Sequence, residues 1–207
     1  ASLESVDITG LGKGGPTNLA SFARGDVKLA SLSLTDVATG TSANMEGAFA
    51  DLPALTTVTL TRVGGASFKA KSAFEGCAAL TNVTATDLGG VNADLTRAFA
   101  DTSTGNAKIT YSMRDVGTSG GAVLDQMFEG AFTGAPTTES TFTWTSRAMT
   151  PAASAVRMFA PKTSDRPCRM PKLDLSGFGG IARRTDGVGG SASYMLAGNA
   201  AIRSVGY

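Results

Sequence analysis

The stretch SAFEGCAALTNVTATDLGG at 72–90 places its apolar residues where MEGAFADLPALTTVTLTRVGG places them at 45–65. In both, Ala-Phe leads through a bend to Leu-x-x-Val-x-apolar and then to a pair of glycines. Neither a helix period nor strand alternation alone explains the spacing, so the unit is a repeat: a short helical turn, a bend and a strand. No other feature constrains the chain as much. A copy this short cannot bury its own apolar face, and stacking against its neighbours is what creates a core.

The first inward residues of the strands are predicted to be Val6, Leu32, Val58, Val83, Ile109, Phe142, Leu173 and Val205, separated by 26, 26, 25, 26, 33, 31 and 32 residues. The aromatic of the helical turn keeps the same rhythm at Phe22, Phe49, Phe74, Phe99, Phe128 and Phe159, with Leu196 in the last copy. A small residue or Met precedes each one, as close stacking requires. The expected fold is a single solenoid domain over 1–207 with about eight β/α coils. It has a parallel β-sheet on one face and short helical or irregular segments on the other. Regular repeats occupy 1–125; longer, basic, insertion-bearing repeats occupy 126–207.

These residues resemble the BspA-like leucine-rich repeats of bacterial and phage surface proteins. The segment 72–88 is similar to that family's run of Ala-Phe, Cys, Leu and Val at fixed spacing. LDLSGFGG at 173–180 and ASYMLAGNAAIRSV at 192–205 are similar to its Leu-Asp-Leu-Ser-x-Phe variant. The resemblance spans nearly the whole chain and implies leucine-rich-repeat-like coils that bind other macromolecules, without implying a reaction.

Composition limits the chemistry. The chain has 207 residues, 42% hydrophobic, enough to build a sizeable core. With no His at all, Ser-His and Cys-His nucleophiles and most zinc sites are excluded. GLGKGGP at 10–16 brushes against a phosphate-binding loop but lacks the Lys-Ser/Thr ending, and reads as a turn between coils. Asp87, Asp115 and Asp174 stand near strand ends at different offsets, which argues against a carboxylate pair for glycan cleavage. The Asn-Val-Thr at Asn82 lies inside a packed repeat and is read as chance. The two cysteines, Cys77 and Cys168, fall three copies apart, too far for a disulfide. Cys77 reads as a small buried hydrophobe and Cys168 as a thiol in a more exposed loop. No cofactor is expected, and the chain is read as non-enzymatic.

Outward strand positions carry hydroxyls: Asp7/Thr9, Ser33/Thr35, Thr59/Thr61, Thr84/Thr86, Thr110/Ser112, Thr143/Thr145 and Asp174/Ser176. Thr is a favoured polar residue on a solvated strand, so this ladder is accounted for by the sheet alone. It is also a candidate ligand face for a glycan or protein through Thr59, Thr61, Thr84, Thr86, Thr143 and Thr145. Thr-x-Thr ladders further resemble ice-binding solenoids.

Charge is polar along the chain: residues 1–144 hold 9 Lys/Arg and 14 Asp/Glu, net −5, and residues 145–207 hold 9 and 3, net +6. Insertions at 133–140, 161–171 and 181–191 lie in or beside the basic part, and such loops are where solenoids carry recognition. The partner-binding residues are placed at Arg166, Arg169, Lys172, Arg183 and Arg184. A basic surface can seek an acidic protein, a nucleic acid or the acidic end of a second copy; without interleaved aromatics, nucleic acid is the weakest of these. Trp144 and Phe142 are read as core filler.

No stretch is apolar and long enough to cross a membrane, and no secretory leader, sortase-type anchor or lipidation cysteine is read. The first strand is expected from residue 3 and the last copy reaches Tyr207, so both solenoid ends lack a polar cap. The expected setting is therefore an assembly, with the ends packed on other chains. The leading reading is a virion structural protein of a bacteriophage, a capsid decoration or tail adhesion protein. The competing one is the ectodomain of a bacterial surface adhesin, extracellular and bound to a host protein, receptor or glycan.

Overall fold

The computed structural model describes residues 3–90, 92–105, 108–117, 121–134, 136–145, 154–164, 166–175, 195–196 and 204–206. They form a parallel β-solenoid. Its long ladder contains β1 (Ser5–Thr9), β3 (Ser31–Val37), β5 (Thr57–Val63), β7 (Asn82–Leu88), β9 (Thr110–Arg114), β10 (Thr141–Thr145), β11 (Lys172–Asp174) and β12 (Ser204–Gly206), paired in that order. Four successive turns also carry a strand on the opposite side: β2 (Thr17–Asn18), β4 (Ala43–Asn44), β6 (Ser67–Lys69) and β8 (Asn92–Asp94). Bridges from Asp94 to Val123 and from Val123 to Ser154 continue this second ladder. Regular pairing on both sides was not foreseen, because two or three residues per copy are too short to give a readable period.

The sequence register holds for seven of the eight strands. Val6, Leu32, Val58 and Val83 are cross-strand partners, and Phe142, Leu173 and Val205 are partners further along. The exception is β9, where Tyr111 and not Ile109 pairs with both Val83 and Phe142. Ile109, Tyr111 and Met113 alternate equally well, so periodicity could not choose among them. Their environment does choose, because Thr102 and Ser103 turn into the core and their hydroxyls meet the Tyr111 hydroxyl at 3.3 and 2.9 Å. Ile109 remains buried, one step before the strand.

The expected helical turns are not helices; among the described residues the structure has none. At the corresponding point of each copy one residue has positive φ: Ser21 55°, Gly47 58°, Ser72 56°, Arg97 58°, Gln126 57° and Arg157 55°. A left-handed residue between right-handed ones turns alternate amides out of the local turn. Phe22 and Arg24 donate three residues back, to Leu19 and Ser21, while Ser21, Ala23 and Gly25 donate to Glu46, Ala48 and Ala50 of the next coil. The same alternation recurs at Gly47, Phe49 and Asp51, and again at Ser72, Phe74 and Gly76. Side-chain caps prepare the turn: the carboxamides of Asn18 and Asn44 and the carboxylate of Asp94 accept from the amide two residues on.

Two further devices shape each coil. Positive φ at Asp36, Arg62 and Asp87, each the penultimate residue of its strand, and at Asp115 just after β9 bends the chain, and Val37, Val63, Leu88 and Val116 point inward. At the next corner Gly40, Gly65 and Gly90 stack so tightly that a Cβ on any of them would overlap the backbone of the preceding coil. The core runs down the axis as a file of rings. Phe49, Phe74, Phe99, Phe128 and Phe159 stack at centroid distances of 5.6, 5.0, 5.6 and 5.2 Å, with interplanar angles of 15° or less. Phe142 and Trp144 are buried, as expected of core filler. No helix among the described residues is long and apolar enough to cross a membrane.

Candidate binding surfaces

The outer face of the long ladder is a grid. Three columns of side chains cross the five central strands β3, β5, β7, β9 and β10. The first is Ser31, Thr57, Asn82, Thr110 and Thr141; the second Ser33, Thr59, Thr84, Ser112 and Thr143; the third Thr35, Thr61, Thr86, Arg114 and Thr145. Asn82 and Arg114 are the two positions of the fifteen without a hydroxyl. Thr59, Thr61, Thr84, Thr86, Thr143 and Thr145 thus share one face, as expected. The rungs at β9 are corrected: Ser112 continues Thr84, and Thr110 belongs one column earlier, so the third column is broken by the exposed Arg114. This shift follows from the Tyr111 register. The chemistry available is a flat, regular array of donors and acceptors with no cleft.

The basic residues among those described are not all free. Among those of the basic segment, Arg157 is held by the carboxylate of Glu129 at 3.0 Å and Lys162 by Asp101 at 2.8 Å. Exposed Arg166 donates to the Thr133 hydroxyl at 3.4 Å, which ties the second insertion to the first. Arg169 is exposed, and its backbone amide is fixed on the Phe132 carbonyl. Lys172 opens β11 and points to solvent. Arg183, Arg184, Ser176 and the insertion at 181–191 lie outside the described residues. The partner-binding reading of Arg166, Arg169 and Lys172 therefore rests on exposed side chains of the one segment that leads into β11.

An ionic cluster that repeat spacing did not reveal sits on the turn face. Arg97 occupies the left-handed position of its turn and is bonded by Glu75 at 2.7 Å, by Asp101 at 3.5 Å and by the buried carboxylate of Glu129. Burial alone would raise the Glu75 carboxyl, but hydrogen bonds from Arg97 and Ser72 outweigh it and hold Glu75 below its ordinary range. The Arg97 guanidinium is raised, first by its bond to Glu75. With Arg157 and Lys162 the cluster crosses four coils. A second pairing, at the corner after the long strands, joins Asp36 to Arg62 at 2.5 Å and to Lys13 at 3.9 Å. The hydrogen bond from Arg62 holds the Asp36 carboxyl low. The signal for both clusters is opposite charges about one repeat apart, with Arg97, Asp36 and Arg62 at positions of positive φ, legible only once the register is known.

Other candidates resolve simply. Asp87 and Asp115 stand at successive rungs of the bend after the long strand, whereas Asp174 lies in the outward column of β11, so the three do not converge. Residues 10–16 form the turn from β1 to β2, with Gly10 and Gly12 at positive φ and Lys13 beside Asp36. Cys77 and Cys168 are both free and buried. The expected exposure of Cys168 is corrected, since the side chain is 1% exposed and packs in the core, with the next amide, Arg169, bonded to the Phe132 carbonyl. Burial pushes both thiols up to about 12. Among the described residues no group of three or more Cys, Asp or Glu could hold a metal ion.

Depressions interrupt the surface of the described residues, and two of them lie on the second ladder and the turn face. One, of about 420 Å³, lies along the second ladder over Thr17, Asn18, Ala43, Asn44, Ser67 and Lys69. The other, of about 280 Å³, lies on the turn face among Ser21, Arg24, Glu46, Asp51, Ser72 and Glu75. More distinctive is the N-terminal end. The exposed large apolar side chains among the described residues are Leu3, Leu11, Phe22 and Val27, at 45%, 42%, 50% and 67% exposure. All belong to the first coil. There the ring file ends with Phe22 turned edge-on to Phe49 at 60°.

Comparison with protein-family models found no match, and comparison with curated proteins and with solved structures found none either. The chain's own residues therefore carry any functional reading.

Proposed function

We propose that this chain is a non-enzymatic binding and scaffolding module on an exterior surface, and that it serves as a structural protein of a bacteriophage virion, in capsid decoration or tail adhesion. The eight strands of the long ladder are read as eight leucine-rich-repeat-like coils of BspA type. One observation carries the reading: among the described residues the exposed large apolar side chains, Leu3, Leu11, Phe22 and Val27, are gathered on one coil. A contiguous apolar patch is what a binding partner covers. Support for a non-enzymatic role comes from Glu75, Asp101 and Glu129 of the turn face, which Arg97, Arg157 and Lys162 engage in ion pairs. Exposed Arg166, Arg169 and Lys172 supply a second contact region, and arginines are common interface anchors.

The BspA-like segments favour one other reading, a bacterial surface adhesin whose hydroxyl grid meets a host glycan or protein. Binding of an apolar dye to the purified chain tests the common element. Dye binding abolished by Phe22→Asp with Val27→Asp is the expected result, and a chain that binds no dye refutes the assembly reading. Mass spectrometry of purified phage particles and of the cell envelope separates the two settings, since each predicts enrichment in a different fraction.

A further inference from the structure

We propose that the depression over the second ladder binds an acidic oligosaccharide, laid along the stacking axis across β2, β4 and β6. The site goes beyond the assembly reading. It lies on a sheet face and uses none of Leu3, Leu11, Phe22 and Val27. Its volume of about 420 Å³ suits a small ligand. Asn18, Asn44 and Lys69 are cross-strand partners on consecutive rungs, so their side chains stand in one column, spaced about 4.8 Å per rung. Pro16, Ser42 and Ser67 line the depression from the other side.

The orientation of the two carboxamides is set by the backbone. The amides of Ala20 and Glu46 donate to Asn18 and Asn44 at 3.0 Å each, and a donor must meet the oxygen of a carboxamide. The Nδ2 groups are left over, and among the described residues neither makes a hydrogen bond. Lys69 is exposed and, among the described residues, makes no ion pair, whereas Arg24, Arg62 and Arg97 of the same coils all do. Its neighbour on the next rung, Asp94, turns a carboxylate oxygen to the Thr96 amide. The column therefore presents two neutral donors and then a cation, with the hydroxyls of Ser42 and Ser67 beside them.

This order of groups selects the ligand. Neutral donors match the hydroxyl and ring oxygens of a sugar, and the ammonium matches one anionic substituent on a neighbouring sugar unit. The Pro16 ring, Ala43 and the methylene stem of Lys69 offer apolar contact to the C–H faces of the rings. An acidic peptide fits less well. β4 and β6 are hydrogen-bonded on both sides, so they offer no free edge to an extended chain, and two of the three groups in the column carry no charge for a second carboxylate.

The test applies the full chain to an array of oligogalacturonates, sialylated and sulfated oligosaccharides, their neutral parents and tetraglutamate. The expected result is salt-sensitive binding to acidic oligosaccharides over their neutral parents; whether carboxylated or sulfated members bind identifies the anion that Lys69 holds. Asn44→Asp keeps the bond to the Glu46 amide, as Asp94 makes the same bond to Thr96, and replaces the free donor with an acceptor. It should leave the thermal midpoint unchanged and abolish binding. Lys69→Gln should weaken binding at least about tenfold, the loss of one charge-assisted hydrogen bond. Binding to no acidic oligosaccharide, equal binding to the neutral parents, tighter binding to tetraglutamate, or undiminished binding by folded Asn44→Asp overturns the proposal. The Phe22→Asp, Val27→Asp chain should bind the saccharide as the unaltered chain does, so this site and the assembly reading fail separately.

Discussion

Truncating the ring file at its centre and at its end should have sharply different costs. Phe99 is fully buried, stacked between Phe74 at 5.0 Å and Phe128 at 5.6 Å and edge-on to Tyr111 at 6.2 Å. A buried Phe→Ala change costs about 3–5 kcal/mol, and the loss of three ring pairs places Phe99→Ala at the upper end. Phe22 is half exposed and has a single ring neighbour at 5.9 Å. Half the transfer term for a Phe side chain is about 1–1.5 kcal/mol, so Phe22→Ala should cost roughly 3 kcal/mol less than Phe99→Ala. Urea denaturation of dilute, monomeric protein, followed by the fluorescence of buried Trp144, measures both. An unchanged slope with denaturant confirms that the same unit unfolds; a smaller slope for Phe99→Ala means that the stack melts on either side of the defect. Equal costs at the two positions would refute the reasoning, because they would mean that the first coil is already covered or that the file does not carry the core.

Four further outcomes follow from particular contacts. Gly90→Ala should prevent folding or cost several kcal/mol, because its Cβ would overlap the Gly65 carbonyl, whereas Gly14→Ala, which meets nothing within 4 Å, should change the thermal midpoint little. Cys77 and Cys168 should resist a thiol-reactive dye in native buffer, both thiols being pushed up to about 12 by burial, and should react at the rate of unfolding; fast labelling of Cys168 would contradict its place in the core. Glu75 is held below its ordinary value of 4.5, so its bond to Arg97 stabilises the fold fully above that pH and loses its contribution as pH falls below it. For this partly exposed pair the gain is about 1 kcal/mol, and Glu75→Gln should flatten the acid limb of the stability profile by that amount. Tyr111→Phe removes the phenol's bonds to the Ser103 and Thr102 hydroxyls, which keep theirs to the Leu80 and Phe99 carbonyls, and about 1 kcal/mol of stability should be lost in the same urea assay.

What the sequence determined by itself was the period. Apolar residues recurring with the copy define inward positions, and Val6, Leu32, Val58, Val83, Phe142, Leu173 and Val205 follow from them because a copy has no other way to bury that face. The hydroxyl face comes with it as the outward side of the strand alternation, and the ring file recurs with the same period in the turns. Tertiary structure decided the rest. Ile109 and Tyr111 are equivalent in pattern, and only the hydroxyl pocket made by Thr102 and Ser103 selects Tyr111. The turns carrying Ala-Phe look helical in composition, yet their amides find partners in the next coil, and left-handed Ser21, Ser72, Arg97, Gln126 and Arg157 are tolerated because stacking supplies those bonds. Cys168 reads as an exposed loop residue in sequence, but its side chain is buried in the core cluster. Arg157 and Lys162 count as basic surface in the sequence, but the stack brings them to Glu129 and Asp101. A local pattern fixes which residues face inward; which partner each meets depends on the coil above and below, and that spacing varies wherever the repeat gains residues.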